Sequence, residues 1–428
     1  MVGQRIAVFG LGYVGLPLIG ACIEAGHQVV GFDVNEAVVV GLAAGESHVD
    51  DIASDLVGKW LGQGFHPTND INELTDIDVF IICVPTPLSA DGSPDLRAVQ
   101  AATAMIAGHI DAAKRPLVVL ESTTYPGTTE EVVKPILERN GFKATVDFSL
   151  AFSPERIDPG NRRWNFSNTP KVVGGFSTEC ADRAEQFYLT LTEQVVRTKG
   201  LKEAEMAKLL ENTYRHVNIA LVNELAKVSH LLGIDFWDVI AAAETKPYGF
   251  HAFRPGPGVG GHCIPIDPNY LGHRVRTELG QSLRFVELAQ EINASMPNYV
   301  VHRLQELLNQ ESIELAGASV LLLGITYKAN IADLRESPSI AVLQELRRQG
   351  ALVTFHDPYV EEWIVDEVMV PKAVDLPAAA ALADCAVLLQ AHDCYLIPQA
   401  LATSPRLLDT QGRLGSTQSQ NARGWVNL

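Results

Sequence analysis

No apolar run in the 428-residue sequence approaches the roughly 18–20 residues that span a bilayer. The opening stretch, MVGQRIAVFG, has none of the three regions of a secretory signal. Together these absences lead us to expect a cytoplasmic protein with no membrane contact. Cysteine is sparse and scattered: Cys22, Cys83, Cys180, Cys263, Cys385 and Cys394 share no short paired spacing, which argues against a disulfide framework or a zinc site. His251, His262 and His273 fall at neither helical nor finger-like spacing, so no metal site is expected. Positive charge is also short, with 33 Lys and Arg against 51 Asp and Glu and a net charge of −18. A nucleic-acid binder, whose footprint is basic, is thereby disfavoured. An anionic small ligand needs only a local basic pocket and stays possible.

What is present is a globular composition, 47% hydrophobic, in a chain long enough for two or three domains. Strand-like and helix-like segments alternate at the start: RIAVFG, an apolar helix from about Tyr13 to Ala25, QVVGFD, DVFIICV, DLRAVQAATAMIAGHI and PLVVLEST. Such alternation predicts a doubly wound parallel sheet. Cys83, inside an apolar run, reads as a buried structural thiol. From about Leu201 to Leu232 the apolar residues step by three and four with no Gly or Pro, and we expect one long helix that joins two domains and offers a dimer surface. A second helical stretch, LRFVELAQEINASMPNYVVHRLQELL, should kink or break at Pro297. SVLLLGI, a helix from Pro338, ALVTFHD, a helix near Pro377 and CAVLLQA then rebuild an α/β pattern, with a polar, loop-like tail. The expected architecture is α/β, two Rossmann-like doubly wound domains joined by a long-helix central domain. We place the boundaries at 1–198, 199–300 and 301–428.

Gly10-Leu11-Gly12-Tyr13-Val14-Gly15 follows a strand and opens a helix. In that context the first glycine permits the turn, the second lets pyrophosphate approach and the third lets helix pack on strand. Asp33 closes the second strand, where an acid accepts from ribose hydroxyls, and no Arg or Lys lies between Asp33 and Gly41 to receive a 2′-phosphate. NAD is therefore expected rather than NADP.

FRPGPGVGGHCIPIDPNYL, from Phe253 to Leu271, is too rich in Gly and Pro for ordinary helix or strand. It presents Cys263 among Gly258, Gly260 and Gly261, glycines that allow close approach by a ligand or offer donors to one, with Asp267 four residues on. NAD beside a reactive thiol suggests that the thiolate adds to an aldehyde, hydride leaves, and water hydrolyses the thioester. His262 is a candidate base, although adjacent side chains often diverge.

With these residues the chain resembles the nucleotide sugar dehydrogenases of the UDP-glucose/UDP-mannuronate type, most closely their UDP-N-acetylglucosamine 6-dehydrogenase branch. GLGYVGLPL, ESTTYPGTT, FSPERIDPG, EMAKLLENTYR, PGPGVGGHCIPIDP and GITYKANIADLRESP carry the resemblance in order. It implies four-electron oxidation of a UDP-sugar primary alcohol at carbon six, using two NAD. The sugar is then N-acetylglucosamine, with N-acetylmannosamine or glucose as alternatives. It further implies that Cys263 is the nucleophile, that Lys208 and Asn212 stabilise the oxyanion and hold substrate, and that Asp267 orients Lys208 and water. Glu155 would transfer a proton or assist thioester hydrolysis, with Arg156 next to it a candidate ion-pair partner. Thr123 would place a water near the cofactor, Lys328 would meet UDP, and Arg335 would reach toward NAD. We also expect Tyr13, Val14, Pro85 and Thr86 at the cofactor and Arg156, Phe253 and Gly260 at the substrate. Relatives often carry Lys or Arg where this chain has Val38. A single-step 6-phosphogluconate or hydroxyacyl type of dehydrogenase, or a nucleotide-binding protein without turnover, stays open as another class. A homodimer or an assembly of dimers is expected.

Overall fold

The computed structural model describes residues 3–49, 52–89, 91–157, 161, 163–261, 264, 266–397, 401–414 and 424–428. His262 and Cys263 lie outside the described residues. The chain divides into two compact units, Met1–Glu211 with Asn269–Gln281, and Asn212–Pro268 with Ser282–Leu428.

In the first unit short apolar runs become strands because both faces of the sheet are covered, so uninterrupted apolar residues are stable there. The order is β1 (Arg5–Phe9), α1 (Gly15–Glu24), β2 (Gln28–Phe32), α2 (Glu36–Ala43), α3 (Ser54–Leu61), β3 (Phe65–Thr68), β4 (Val79–Ile82) and α4 (Arg97–Ala107). Then come β5 (Leu117–Leu120), a π-helical stretch Thr129–Val133 continued by α5 (Lys134–Leu137), β6 (Ser149–Phe152), β7 (Lys171–Gly175), α6 (Thr178–Tyr188) and β8 (Val195–Arg197). The eight strands line up as β3-β2-β1-β4-β5-β6-β7-β8. All pairs are parallel except β6 with β7. The order reverses between β1 and β4, and a doubly wound sheet binds its ligand at such a point. Polar side chains begin several helices: Asn35 accepts from the Ala37 N–H ahead of α2, and Ser177 from the Cys180 N–H ahead of α6.

The expected long helix is α7, Leu201–Leu231, 31 residues and roughly 46 Å at 1.5 Å per residue. After it come α8 (Phe236–Glu244), α9 (Asp267–Leu279), α10 (Arg284–Ala294) and α11 (Met296–Asn309). The stretch expected to kink at Pro297 is two helices, broken at Ser295, with Pro297 in the first turn of α11 where a missing N–H is harmless. The irregular segment expected from Phe253 to Leu271 ends sooner, because α9 already starts at Asp267, with Pro268 in its first turn.

The second unit continues with β9 (Ser319–Leu323), α12 (Pro338–Arg348), β10 (Leu352–His356), the hairpin β11 (Ile364–Val365) and β12 (Val368–Met369), α13 (Leu376–Leu382), β13 (Cys385–Leu388), β14 (Arg406–Asp409) and β15 (Gly424–Asn427). Five of these strands form a parallel sheet in the order β10-β9-β13-β14-β15. Its faces carry separate apolar clusters, one including Val320, Leu322, Val387 and Leu408, the other Leu321, Leu323, Leu388 and Leu407. Alternate residues of β9 thus feed opposite cores, as strand geometry requires.

Candidate active site

The cofactor cradle is built from strand ends of the first unit. Gly10 has φ +93°, and a Cβ there would lie 2.6 Å from the Cys83 carbonyl oxygen, so the turn after β1 can pass the end of β4 only as glycine. At Gly12 the same construction meets nothing within 4 Å, leaving the space a pyrophosphate would fill. Asp33, at the end of β2, accepts from the Leu11 N–H through Oδ2 and from the Asn35 N–H through Oδ1, both at 2.9 Å. The carboxylate therefore braces the glycine turn and stands where a ribose would arrive. Tyr13 and Val14 are half-buried between turn and helix, Thr86 is buried beyond β4 and Pro85 is exposed. This donor set fits a dinucleotide, with NAD as its natural occupant. Burial pushes the Cys83 thiol well above its ordinary range. That is the behaviour of a structural cysteine.

Farther along the same sheet edge, β5 and β6 pair through Leu120 and Phe152, and Thr123 and Glu155 follow them. Ser122 donates its hydroxyl to the Val84 carbonyl at 2.7 Å, and the Thr124 and Thr128 hydroxyls bond to each other. Thr123, half-buried, lies between these two committed hydroxyls. Glu155 is mostly buried, with a side-chain exposure of 13%. Its Oε1 accepts from the backbone N–H of Arg156 at 2.7 Å and from that of Ile157. Its Oε2 accepts from Lys171 Nζ at 3.1 Å. Burial raises this carboxyl, but Lys171, the Ile157 N–H and the field of Lys208 outweigh it, and the group stays below its ordinary range. Arg156, the candidate partner for Glu155, instead pairs with Glu211 at 2.8 Å. Sequence reasoning missed Lys171. Its one signal is a lysine opening the apolar run KVVGG, which becomes a strand buried at every position.

Lys208 is half-buried on α7 within the first unit. One turn on, Asn212 is buried and donates from Nδ2 to Asp267 Oδ2, both in the second unit. Asp267 is 2% exposed at the start of α9. In this geometry the amide of Asn212 is one partner of Asp267. Phe253 stacks edge-on against Tyr214, ring centroids 5.8 Å apart.

Gly260 departs from the expectation of an open approach for a ligand. A Cβ there would lie 2.8 Å from both the Glu336 carbonyl oxygen and Tyr327 Cβ, and Gly261 donates its N–H to the Arg335 carbonyl. The glycines let the loop pack against the chain's own segment from Tyr327 to Pro338. That segment carries Lys328, half-buried, and Arg335, whose guanidinium grips Asp333 at 2.6 Å. Beneath it, buried His392 receives the Asn330 N–H on Nδ1 and meets Asp357 through Nε2 at 3.0 Å, fixing the loop after β9.

Three models of the UDP-glucose/GDP-mannose dehydrogenase family match the chain: the NAD binding domain over residues 4–192, the central domain over 202–295 and the UDP binding domain over 321–415. The sequence is 38% identical over 364 residues to a UDP-N-acetyl-D-glucosamine 6-dehydrogenase of Pseudomonas aeruginosa, covering 84% of each chain. It is 36% identical over 359 residues to a UDP-N-acetyl-D-mannosamine dehydrogenase of Pyrococcus horikoshii, covering 83% of this chain and 84% of the other. The solved structure of the UDP-D-ManNAc dehydrogenase from Pyrococcus horikoshii superposes with a TM-score of 0.88 at 31% identity, over 99% of this chain and 98% of that one. A UDP-glucose dehydrogenase structure from Pyrobaculum islandicum gives 0.86 at 29% identity, over 99% and 97%.

Proposed function

Because the chain belongs to the UDP-glucose/GDP-mannose dehydrogenase family, a family of NAD-dependent nucleotide-sugar oxidoreductases, we propose that it oxidises carbon six of UDP-N-acetylglucosamine to the carboxylate. The observation that carries the choice of an acetamido sugar is the similarity to relatives named for UDP-N-acetylhexosamines, 38% for a glucosamine enzyme and 36% for a mannosamine enzyme. The mannosamine sugar is the second reading, favoured by the TM-score of 0.88.

When bound, NAD supplies the hydride acceptor. The chain's residues do the rest. In the first oxidation the sugar hydroxyl loses its proton to a base as hydride leaves carbon six, giving the aldehyde. The Cys263 thiolate then adds to the aldehyde carbon and places negative charge on oxygen. Lys208 and the Asn212 amide offer positive charge and a donor to that oxyanion. Loss of a second hydride gives a thioester on Cys263. Water attacks it, the thiolate departs and the acid is released. Glu155 serves this last step as a fixed acceptor for a proton of the attacking water, and Asp267 keeps the Asn212 amide turned for donation.

The test is NADH release against UDP-N-acetylglucosamine, UDP-N-acetylmannosamine and UDP-glucose. UDP-N-acetylglucosamine should give the highest kcat/KM and two NADH per molecule of acid. Cys263→Ala should form no acid while still binding the UDP-sugar. A single NADH per sugar, or acid from Cys263→Ala at the wild-type rate, would defeat the covalent route.

A further inference from the structure

Behind Glu155 lies a buried charged chain that the reaction as written does not use. Lys171 Nζ sits 3.1 Å from Glu155 Oε2 and 2.9 Å from Glu121 Oε2, and the Tyr188 hydroxyl donates to Glu121 Oε1. Side-chain exposure is 5% for Lys171 and 0% for Glu121. The lysine ammonium also rests over the Phe166 and Tyr188 rings, 5.1 and 5.3 Å from their centroids. Each link comes from a different element: Tyr188 ends α6, Glu121 follows β5, Lys171 opens β7 and Glu155 follows β6.

The antiparallel pairing of β6 with β7 produces this arrangement. Ala151 faces Gly175 and Phe152 faces Gly174. Continuing that register past the strand ends sets Glu155 opposite Lys171. A β7 running parallel to β6 would carry its first residue to the other end of the sheet. Stability alone explains the cluster poorly. Taking a cation and its carboxylate partners out of water is costly, and apolar side chains of similar volume are often at least as stable. A small cleft lined by Glu155, Phe166, Thr169 and Lys171 opens beside the pair.

We propose that Lys171 is a positioning residue, which holds the Glu155 carboxylate charged and in one orientation through the buried chain Tyr188–Glu121–Lys171. The inference rests on the reading that Glu155 acts in thioester hydrolysis, since Lys171 acts through it. With Oε1 on two backbone N–H groups and Oε2 on the ammonium, Glu155 can neither rotate nor neutralise readily. Charged or titratable groups facing it are Lys171 from β7, Glu121 beyond β5, Lys208 from α7, Cys83 beyond β4 and the adjoining Arg156. Burial raises the second carboxyl, Glu121, and the charge of Glu155 adds to that, so Lys171 is the cation both depend on.

The experiment uses the full chain with NAD and the UDP-sugar giving the highest turnover. Lys171→Met should lower kcat about tenfold to a hundredfold, the range of a misplaced general base, with KM for the sugar within about twofold. Its acidic kcat limb should move up by about one pH unit, because a carboxylate without its cation is easier to protonate. Lys171→Arg should recover most of the rate. Glu155→Gln should be slow, and adding Lys171→Met to it should change kcat by less than about twofold, as coupled residues require. Should Lys171→Met not fold, the paired variant Glu121→Gln/Lys171→Met removes one charge of each sign and should show the same loss. Wild-type kcat with an unmoved acidic limb in either variant overturns the role of Lys171. So does a Lys171→Met effect that is as large in the Glu155→Gln background. Wild-type turnover by Glu155→Gln overturns the reading of Glu155 itself, and with it the role of Lys171.

Discussion

Asp33 turns both carboxylate oxygens toward backbone N–H groups, one in the glycine turn and one at the start of α2, and so keeps its negative charge in a single place. A 2′-phosphate arriving there meets a fixed like charge, and no basic residue between Asp33 and Gly41 relieves it. NAD should therefore exceed NADP in kcat/KM by about a hundredfold or more, roughly 2.7 kcal/mol. Asp33→Asn keeps one acceptor and removes the charge, and should narrow the gap by about tenfold. Steady-state kinetics with both cofactors check this, and a preference for NADP in the unaltered protein would contradict it. The aspartate was legible in the sequence because its role follows from its place at the end of β2. Lys171 was not, because its partners Glu121 and Glu155 are 50 and 16 residues away along the chain.

Among the elements, α7 is tied to the helical stretch after β5 by the exposed Lys202–Glu131 pair and by one buried side chain. Glu205, fully buried, accepts from the Gly127 and Thr129 N–H groups and from the Thr129 hydroxyl, capping the start of the stretch from Thr129. Burial outweighs these three donors and lifts the carboxyl to about 7. An acid raised in the folded state binds a proton that the unfolded chain has already released. Its contribution to stability is thus complete below about pH 4 and is lost as pH rises toward 7. Denaturant unfolding of the wild type between pH 4 and pH 8 should show this decline superposed on other titrations. In Glu205→Gln that component should vanish, so the difference between the two proteins should change steadily from about pH 4 to pH 7 and then level off. A constant difference across the range would mean Glu205 is ionised throughout.

At the scale of the whole molecule, the part of α7 from Asn212 to Leu231 carries an exposed apolar face. Tyr214, Leu221, Leu225, Val228 and Leu231 are exposed, as are Phe285 and Leu288 on α10. An apolar face left in water is costly, which is the reason to expect a second copy against it. A two-fold dimer through α7 is the expected assembly, and sedimentation at micromolar concentration should find dimers or multiples of them. Leu225→Asp should shift that equilibrium toward monomer by at least about tenfold, the effect of desolvating one unpaired carboxylate at an interface. A monomeric wild type would remove the prediction. Among the described residues no helix is long and apolar enough to cross a membrane.

Local chemistry settled much of this protein before any folding. Buried parallel strands need continuous apolar runs, so β1, β4, β5, β9 and β13 could be read directly, as could the glycine turn and the long helix. The break at Ser295 and the start of α9 at Asp267 lay within reach of the same rules, because a proline is least costly in a first helical turn, where Pro297 and Pro268 both sit. The thin strands were not legible: β3 contains a proline, β11 and β12 have two residues each, and pairing and core contacts formed only on folding hold them. The glycines of the cysteine loop looked open to a ligand in the sequence, and only folding filled the space beside them with Tyr327 and Pro338. The partner of Glu155 likewise depended on one antiparallel strand pair in an otherwise parallel sheet. Arg156, its neighbour in sequence, went to Glu211, while Lys171 came from across the sheet. Sequence fixes residue type and local period, whereas pairing between distant charges is decided by strand direction and register, which exist only once the sheet has formed.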